Sequence, residues 1–324
     1  MALLTMVQAL NQALDQEMAA NPNVVIMGED VGHDGGVFRV TDGLIQKYGE
    51  KRVLDTPLAE AGIVGTALGM SVYGLRPVVE IQFFGFTYPA FQEIVSHVAR
   101  LRTRTRGVYT CPMVIRTPYG IGIKALEHHS ESTEAYFTHT PGIKVVVPSS
   151  PYDAKGLLIS AMRSEDPVLF LEPSRLYRSI KQEVPETVYE IPLGKAKILK
   201  QGTDLTIVAW GSMLRMVMQT LSKDQNLSAE VIDLRTLSPL DWDTIFTSVE
   251  KTRRLLIVAE APRLGGLASD ISATVSEKFH GKLKAPVERV TGFDITPPLP
   301  LGEHLYMVDE KRILKAIKKL THSS

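Results

Sequence analysis

Apolar residues at the start of the chain recur at helical intervals and then run together without a gap. Val7, Leu10, Ala13 and Leu14 accompany Thr5 and Gln8, a pair with capping-box spacing, and predict a helix that ends near Asn21-Pro22. The next run, Val24-Val25-Ile26-Met27-Gly28, has no polar alternation, as in a strand buried on both faces. Similar runs return at 78–84, 113–117, 143–147 and 168–171, with helical stretches between them at 59–75, 89–103 and 151–163. Such alternation predicts an α/β layer structure with a mainly parallel sheet. From Arg178 to Thr187 the chain becomes polar and aperiodic, which is read as a linker with a boundary near 185. A second series follows, with strands at 205–210, 230–234, 255–260 and 287–290 and helices near 212–222, 240–250 and 266–280. The expected architecture is therefore two three-layer α/β domains, 1–185 and 186–324, the second smaller. No short internal repeat or low-complexity tract interrupts it.

Composition fits this organisation and removes several classes of function. At 324 residues, 44% hydrophobic and 22% charged, the chain is long enough for two domains of ordinary size. Its 36 Lys and Arg balance 36 Asp and Glu, so no net positive field draws nucleic acid or an anionic membrane. The one dense basic run, Arg100, Arg102, Arg104 and Arg106, is read as a solvated or interface face at a helix end. Cys111 is the single cysteine, which rules out an internal disulfide and suits a reducing compartment. No signal-peptide pattern and no apolar run of ~20 residues is found, so a soluble cytoplasmic protein is expected.

Ligands of open α/β sheets collect beyond the carboxyl ends of the strands. Glu29 follows the 24–28 run, Glu60 follows the short Val53-Leu54-Asp55 strand, and Gln82 and Phe86 lie at the end of the 78–84 run. His128 and His129 sit in the Gly- and Ser-containing loop 118–133. Position alone leaves the roles open. Glu60 either favours the dipole of the helix it enters or is held for chemistry, and Glu29 is either a solvated loop carboxylate or part of the same site. Gly62, Gly65 and Gly69 form one helical stripe, and since each glycine costs roughly 1 kcal/mol in an exposed helix interior, the stripe predicts close approach of another helix or subunit. The paired histidines lack the H-E-x-x-H spacing of a zinc site, so proton transfer or ligand hydrogen bonding is the better reading and no metal site is expected. Nucleotide and hydrolase signatures fail: Gly120-Ile121-Gly122 lacks the third glycine of the dinucleotide fingerprint, no P-loop is present, and Gly211-Ser212-Met213 lacks the nucleophile-elbow pattern.

The motifs become specific in combination. Gly28-Glu29-Asp30-Val31-Gly32, Gly35-Gly36-Val37-Phe38-Arg39, Asp55-Thr56-Pro57-Leu58-Ala59-Glu60-Ala61-Gly62, Glu80-Ile81-Gln82-Phe83, His129-Ser130-Glu131-Ser132 and Pro141-Gly142-Ile143-Lys144 occur in one order, and Val231-Ile232-Asp233-Leu234-Arg235 and Glu260-Ala261-Pro262 continue it. Together they resemble the β subunit of a thiamine diphosphate-dependent 2-oxo acid dehydrogenase, the E1 component of a lipoyl-linked multienzyme complex, over nearly the whole chain. The resemblance implies a transketolase-like pyrimidine-binding domain followed by a transketolase C-terminal-like domain, in an α2β2 heterotetramer. It also implies that the E1 α chain holds the diphosphate through Mg²⁺ while the β chain holds the aminopyrimidine. The metal-diphosphate signature, Gly-Asp-Gly followed by Asn-Asn, is absent from this sequence, and Asp34-Gly35-Gly36 is only an echo of it.

Carried over residue by residue, the resemblance makes Glu60 the carboxyl on N1′ of the aminopyrimidine. Phe86 becomes the ring packed upon it, where many relatives carry Tyr, and Gln82, Leu58 and Glu29 line the ring or steady Glu60. His129, rather than His128, matches the family's His-Ser motif. That implies a role in placing the substrate carboxylate and in passing the acyl group to the lipoyl arm of the E2 acyltransferase, whose lipoyl and peripheral subunit-binding domains are the expected partners. The stretches Glu134 to Gly142 and Leu205 to Gly211 are more similar to branched-chain than to pyruvate enzymes. A branched-chain 2-oxo acid is therefore the expected substrate, with pyruvate or acetoin cleavage as alternatives. Outside the enzymes, the alternative is a non-catalytic assembly module.

Overall fold

The computed structural model describes residues 1–223 and 227–322. Its strands in chain order are β1 (Ala2–Leu4), β2 (Val24–Gly28), β3 (Val53–Asp55), β4 (Arg76–Glu80), β5 (Val114–Tyr119), β6 (Lys144–Val146), β7 (Val168–Pro173), β8 (Gln182–Val184), β9 (Lys197–Lys200), β10 (Leu205–Ala209), β11 (Ala229–Asp233), β12 (Thr236–Ser238), β13 (Leu255–Val258) and β14 (Glu288–Val290). A seven-stranded sheet runs β12-β6-β7-β5-β4-β2-β3, and a five-stranded sheet runs β14-β13-β10-β11-β9. Both are parallel except at one edge strand each, β12 against β6 and β9 against β11.

The unbroken apolar runs form the central strands because helices cover both faces of the sheet. Every residue of β2 is buried. Val24 and Ile26 pack with the helices Met6–Ala20 and Pro151–Arg163, whereas Met27 points to the opposite face and packs with the helix Glu60–Val72. The first helix starts as its sequence predicts: the Thr5 N–H donates to Gln8 Oε1 at 2.9 Å and the Gln8 N–H to Thr5 Oγ1 at 3.3 Å. Its Leu10 and Leu14 are fully buried, worth about 1.5–3 kcal/mol each. Apolar packing also joins the two sheets, since Val147 and Leu169 share one cluster with Trp210, Ile232, Leu237 and Ile257.

Four of the departures from the sequence expectation shape the fold. The 89–103 stretch is not one helix: a 3₁₀ turn at Phe84–Thr87 is followed by a wide π turn at Glu93–Val98 and a short helix at Leu101–Arg104. The break falls where the backbone at Gly142 comes so close that a Cβ there would run into the Ala99 carbonyl. The 178–187 stretch is not a free linker. Its β8 pairs antiparallel with β1, and the buried Lys155 ammonium binds the Pro185 and Thr187 carbonyls at 2.6 and 3.0 Å. The strand β12 leaves the second half of the chain and joins the first sheet, where Thr236 stands opposite Val146. Finally, a helix at Glu310–His322, absent from the expected elements, packs its Ile313, Ile317 and Leu320 under the second sheet. The four arginines from Arg100 to Arg106 are exposed, as expected.

A charged group is buried at the centre of the first sheet. Arg116 on β5 donates from Nη1 to Glu80 Oε2 on β4 at 2.8 Å, and from Nε and Nη2 to the two Glu172 oxygens on β7 at 2.7 and 2.9 Å. The Tyr177 hydroxyl adds a bond of 2.7 Å to Glu172. The triad ties the strand ends that carry the candidate site.

Candidate functional site

Four neighbouring strands, β5-β4-β2-β3, are parallel and so end at one edge of the sheet. The segments leaving them carry the expected residues: His128 and His129 after β5, Gln82 and Phe86 after β4, Glu29 after β2, and Leu58 and Glu60 after β3. Residues far apart in sequence are thus placed side by side by strand order alone.

Glu60 is the first residue of its helix and is buried, although Ala59 before it offers no side-chain cap. The positive end of the helix dipole therefore faces its carboxylate. Glu29 is buried too, and its carboxyl is held above the usual range, first by burial and then by the negative charges of Glu60 and Asp30. Across the sheet, Gln82 Nε2 donates to Asp30 Oδ2 at 3.0 Å, tying the segment after β4 to the one after β2. Asp55, the last residue of β3, accepts from the Gly32 and His33 N–H groups at 2.5 and 3.1 Å and so fixes the turn that carries Glu29 and Asp30.

Aromatic contacts build the other side. The Phe86 ring is half-buried and stands edge-on to Phe83 at 5.5 Å and to His129 at 5.2 Å, with His128 at 5.5 Å. This turn and the histidine loop approach so closely at Gly85 that a Cβ there would strike the His128 carbonyl. His129 also meets Phe83 at 4.3 Å, and its Nδ1 is buried without a hydrogen-bond partner among the described residues. Burial, and then the neighbouring His128, lower its affinity for a proton, so the ring is neutral near pH 7. An orphaned buried ring nitrogen costs about 1–3 kcal/mol unless something else satisfies it.

On the outer side the chain is open. Leu58 is 78% exposed despite its apolar side chain. Along the helix that begins at Glu60, a Cβ on Gly65 or Gly69 would meet nothing within 4 Å, and one on Gly62 would meet only Ala59 at 3.6 Å. Gly65 and Gly69 therefore face open space among the described residues.

Comparison with known proteins bears on the whole chain. The family described as transketolase, pyrimidine binding domain, matches residues 3–180, and that described as transketolase, C-terminal domain, matches residues 194–313. The pyruvate dehydrogenase E1 component subunit beta of Acholeplasma laidlawii is 53% identical over 99% of this chain and 98% of its own length. Its counterparts in Mycoplasma pneumoniae and Bacillus subtilis are each 49% identical, over 97% and 99% of both chains respectively. The chain belongs to the E1 β-subunit family. Its fold is shared with a solved structure described as a split gene transketolase, inactive beta4 tetramer, with a TM-score of 0.80 over 99% of both chains at 22% identity.

The residues gathered at these strand ends are of the kinds that suit the aminopyrimidine half of thiamine diphosphate. A planar, nitrogen-bearing ring needs a carboxyl for a ring nitrogen, an aromatic surface and an apolar edge, and Glu60, Phe86 and Leu58 are of those kinds. The unpartnered His129 Nδ1 is a further polar group left for a ligand. Three residues that assist went unassigned in the sequence: Asp30, Asp55 and Phe83. All three lie inside or beside the quoted motifs, but their partners sit on other strands, so only the sheet order reveals them.

Proposed function

We propose that this chain is the β subunit of a pyruvate dehydrogenase E1 component, catalysing thiamine diphosphate-dependent oxidative decarboxylation of pyruvate and reductive acylation of the E2 lipoyl group. The observation that carries the proposal is the row of Glu29, Glu60, Gln82, Phe86 and His129 along four adjacent strand ends, open on its outer side. The shared name of the relatives supports pyruvate ahead of the branched-chain 2-oxo acid expected from the 134–142 and 205–211 stretches. Residues 1–185 are assigned as the pyrimidine-binding domain and 186–324 as the C-terminal domain. The E1 α chain would complete an α2β2 heterotetramer in the cytoplasm and hold the diphosphate through Mg²⁺.

Bound thiamine diphosphate supplies the carbon nucleophile and the electron sink for loss of carbon dioxide. This chain contributes proton control. Glu60 would hold N1′ and exchange a proton there, while Glu29, already biased toward its neutral form, limits the negative charge beside it. Phe86 and Leu58 would cover the ring and Gln82 would line it. His129 would orient the substrate carboxylate and, entering the step neutral, take up the proton released as the thioester carbonyl forms and pass it to the lipoyl sulfur freed when the dithiolane opens. Intact Glu60 and His129 favour this reading over a non-catalytic assembly module.

The test is co-expression with the α chain followed by thiamine diphosphate-dependent turnover of pyruvate, 3-methyl-2-oxobutanoate and 4-methyl-2-oxopentanoate. Preference for pyruvate is expected, together with inactivity of the isolated chain. Robust turnover by the chain alone would overturn the shared site, and a preference for either branched acid would overturn the substrate assignment.

A further inference from the structure

The loop that carries His129 leaves β5 at Gly120 and returns at Ser132, and its only helical piece is the 3₁₀ turn Glu127–His129. Its own backbone closes the base, where the Gly120 N–H donates to the Glu131 carbonyl at 3.1 Å. Between these ends, the second half of the chain grips it with two buried carboxylates.

Glu260 lies just beyond the carboxyl end of β13 and is almost wholly buried. It accepts from Ser212 Oγ at 2.9 Å on its own side and from Ser132 Oγ at 3.4 Å on the loop, and it also takes a hydrogen bond from the Ile121 backbone. Gly120 has φ +88°, and a Cβ there would run into the Glu260 carboxylate, so the loop passes directly over that group. Glu303, also buried, accepts from the Lys124 N–H at 2.9 Å. The loop is thereby held on both flanks of Gly122, just ahead of the histidines.

We propose that Glu260 and Glu303 are positioning residues, through which the second half of the chain fixes the histidine loop and aims His129 at the acyl-transfer step. The proposal rests on the role given to His129 above. Neither glutamate reaches the reacting atoms. Each acts by accepting hydrogen bonds from the loop, and at Glu303, which takes a single backbone N–H, an amide oxygen can keep that bond in weaker form.

The experiment uses the complex of this chain with its α chain and compares Glu303→Ala, Glu303→Gln and His129→Ala, with Glu260→Ala as a second probe of the loop. Amide hydrogen exchange across 120–131 is read beside acylation of an isolated lipoyl domain and decarboxylation with an artificial electron acceptor. Loss of one anchoring bond in E303A should raise loop exchange and lower lipoyl acylation by about tenfold each. E303Q should restore both readouts, and H129A should lower acylation without freeing the loop. Unchanged loop exchange in both E303A and E260A, failure of E303Q to restore it, or a freed loop with normal acylation while H129A is impaired would overturn the proposal. Normal acylation in H129A would instead remove the histidine assignment and with it the catalytic half of the proposal. Loop exchange then still decides whether the two glutamates fix the loop.

Discussion

Replacing Glu134 by glutamine should remove a large pH dependence from the stability of this chain. Glu134 sits at the junction of the two halves, where its Oε1 accepts from Trp210 Nε1 at 3.2 Å. Its Oε2 and the Tyr119 hydroxyl are both buried, side by side. Tyr119, Trp210 and Glu260 face it, and none can neutralise a negative charge. Burial pushes the Glu134 carboxyl from 4.5 up to about 7, with a smaller push from Glu260. The folded state therefore holds a proton that the unfolded chain releases between these two values. Its stabilising effect is full below the unfolded value and is lost as the pH rises through the folded one. A shift from 4.5 to about 7, at about 1.4 kcal/mol per pH unit, is worth about 3 kcal/mol. Glu134→Gln keeps the volume and the acceptor for Trp210 but cannot ionise. Measured by urea unfolding, the variant should gain on the parent chain by about 3 kcal/mol between about pH 4.5 and pH 8. Infrared spectra should show a protonated carboxyl signal that titrates near neutrality in the parent and is lost in the variant. A stability difference that stays constant across this range would refute the reasoning.

Three further outcomes are expected. Glu60→Gln should lower decarboxylation by roughly 10²-fold or more in the assembled enzyme while leaving assembly intact, and a loss below tenfold would remove its proton-exchange role. Arg116→Ala strands Glu80 and Glu172 without a countercharge and should cost about 3–5 kcal/mol in denaturant unfolding, whereas a cost under about 1 kcal/mol would contradict the triad. Gly65→Leu should leave the chain folded, because its Cβ meets nothing within 4 Å, yet weaken co-purification with the α chain by about tenfold or more, and undiminished assembly would remove the stripe from the interface.

The long strands were legible because burial on both faces demands uninterrupted apolar runs, as in β2 and β10, whose residues are buried throughout. Short edge strands carry no such signature: Gln182-Glu183-Val184 pairs with β1 through its backbone while two of its three side chains are exposed. The helix Glu310–His322 did leave a signal, Ile313, Ala316, Ile317 and Leu320 at helical spacing, and all four are buried. At the site, local position could not separate a capping from a chemical role for Glu60, and the motif set was needed to favour the second. The electrostatic coupling of Glu29 to Glu60 depends on β2 lying beside β3. No local pattern encodes that adjacency.

One helix joins the two requirements that the sequence left separate, a reactive carboxyl and a partner surface. Glu60 opens the helix Glu60–Val72, and the glycine stripe runs along the same element. Exposed apolar residues stand at both of its ends, Leu58 before it and Val72 and Tyr73 at its close. A subunit seated on the stripe would cover these groups and lower the dielectric around the first turn, which strengthens every interaction that Glu60 makes with a bound ring. Assembly and activation would then be one event, because the proposed partner surface belongs to the helix that presents Glu60. On this argument the activity of dilute enzyme should fall with dissociation of the complex rather than with unfolding of the chain. Gly65→Leu should reproduce that inactive state at concentrations where the parent complex is still assembled, with Glu60 still in place.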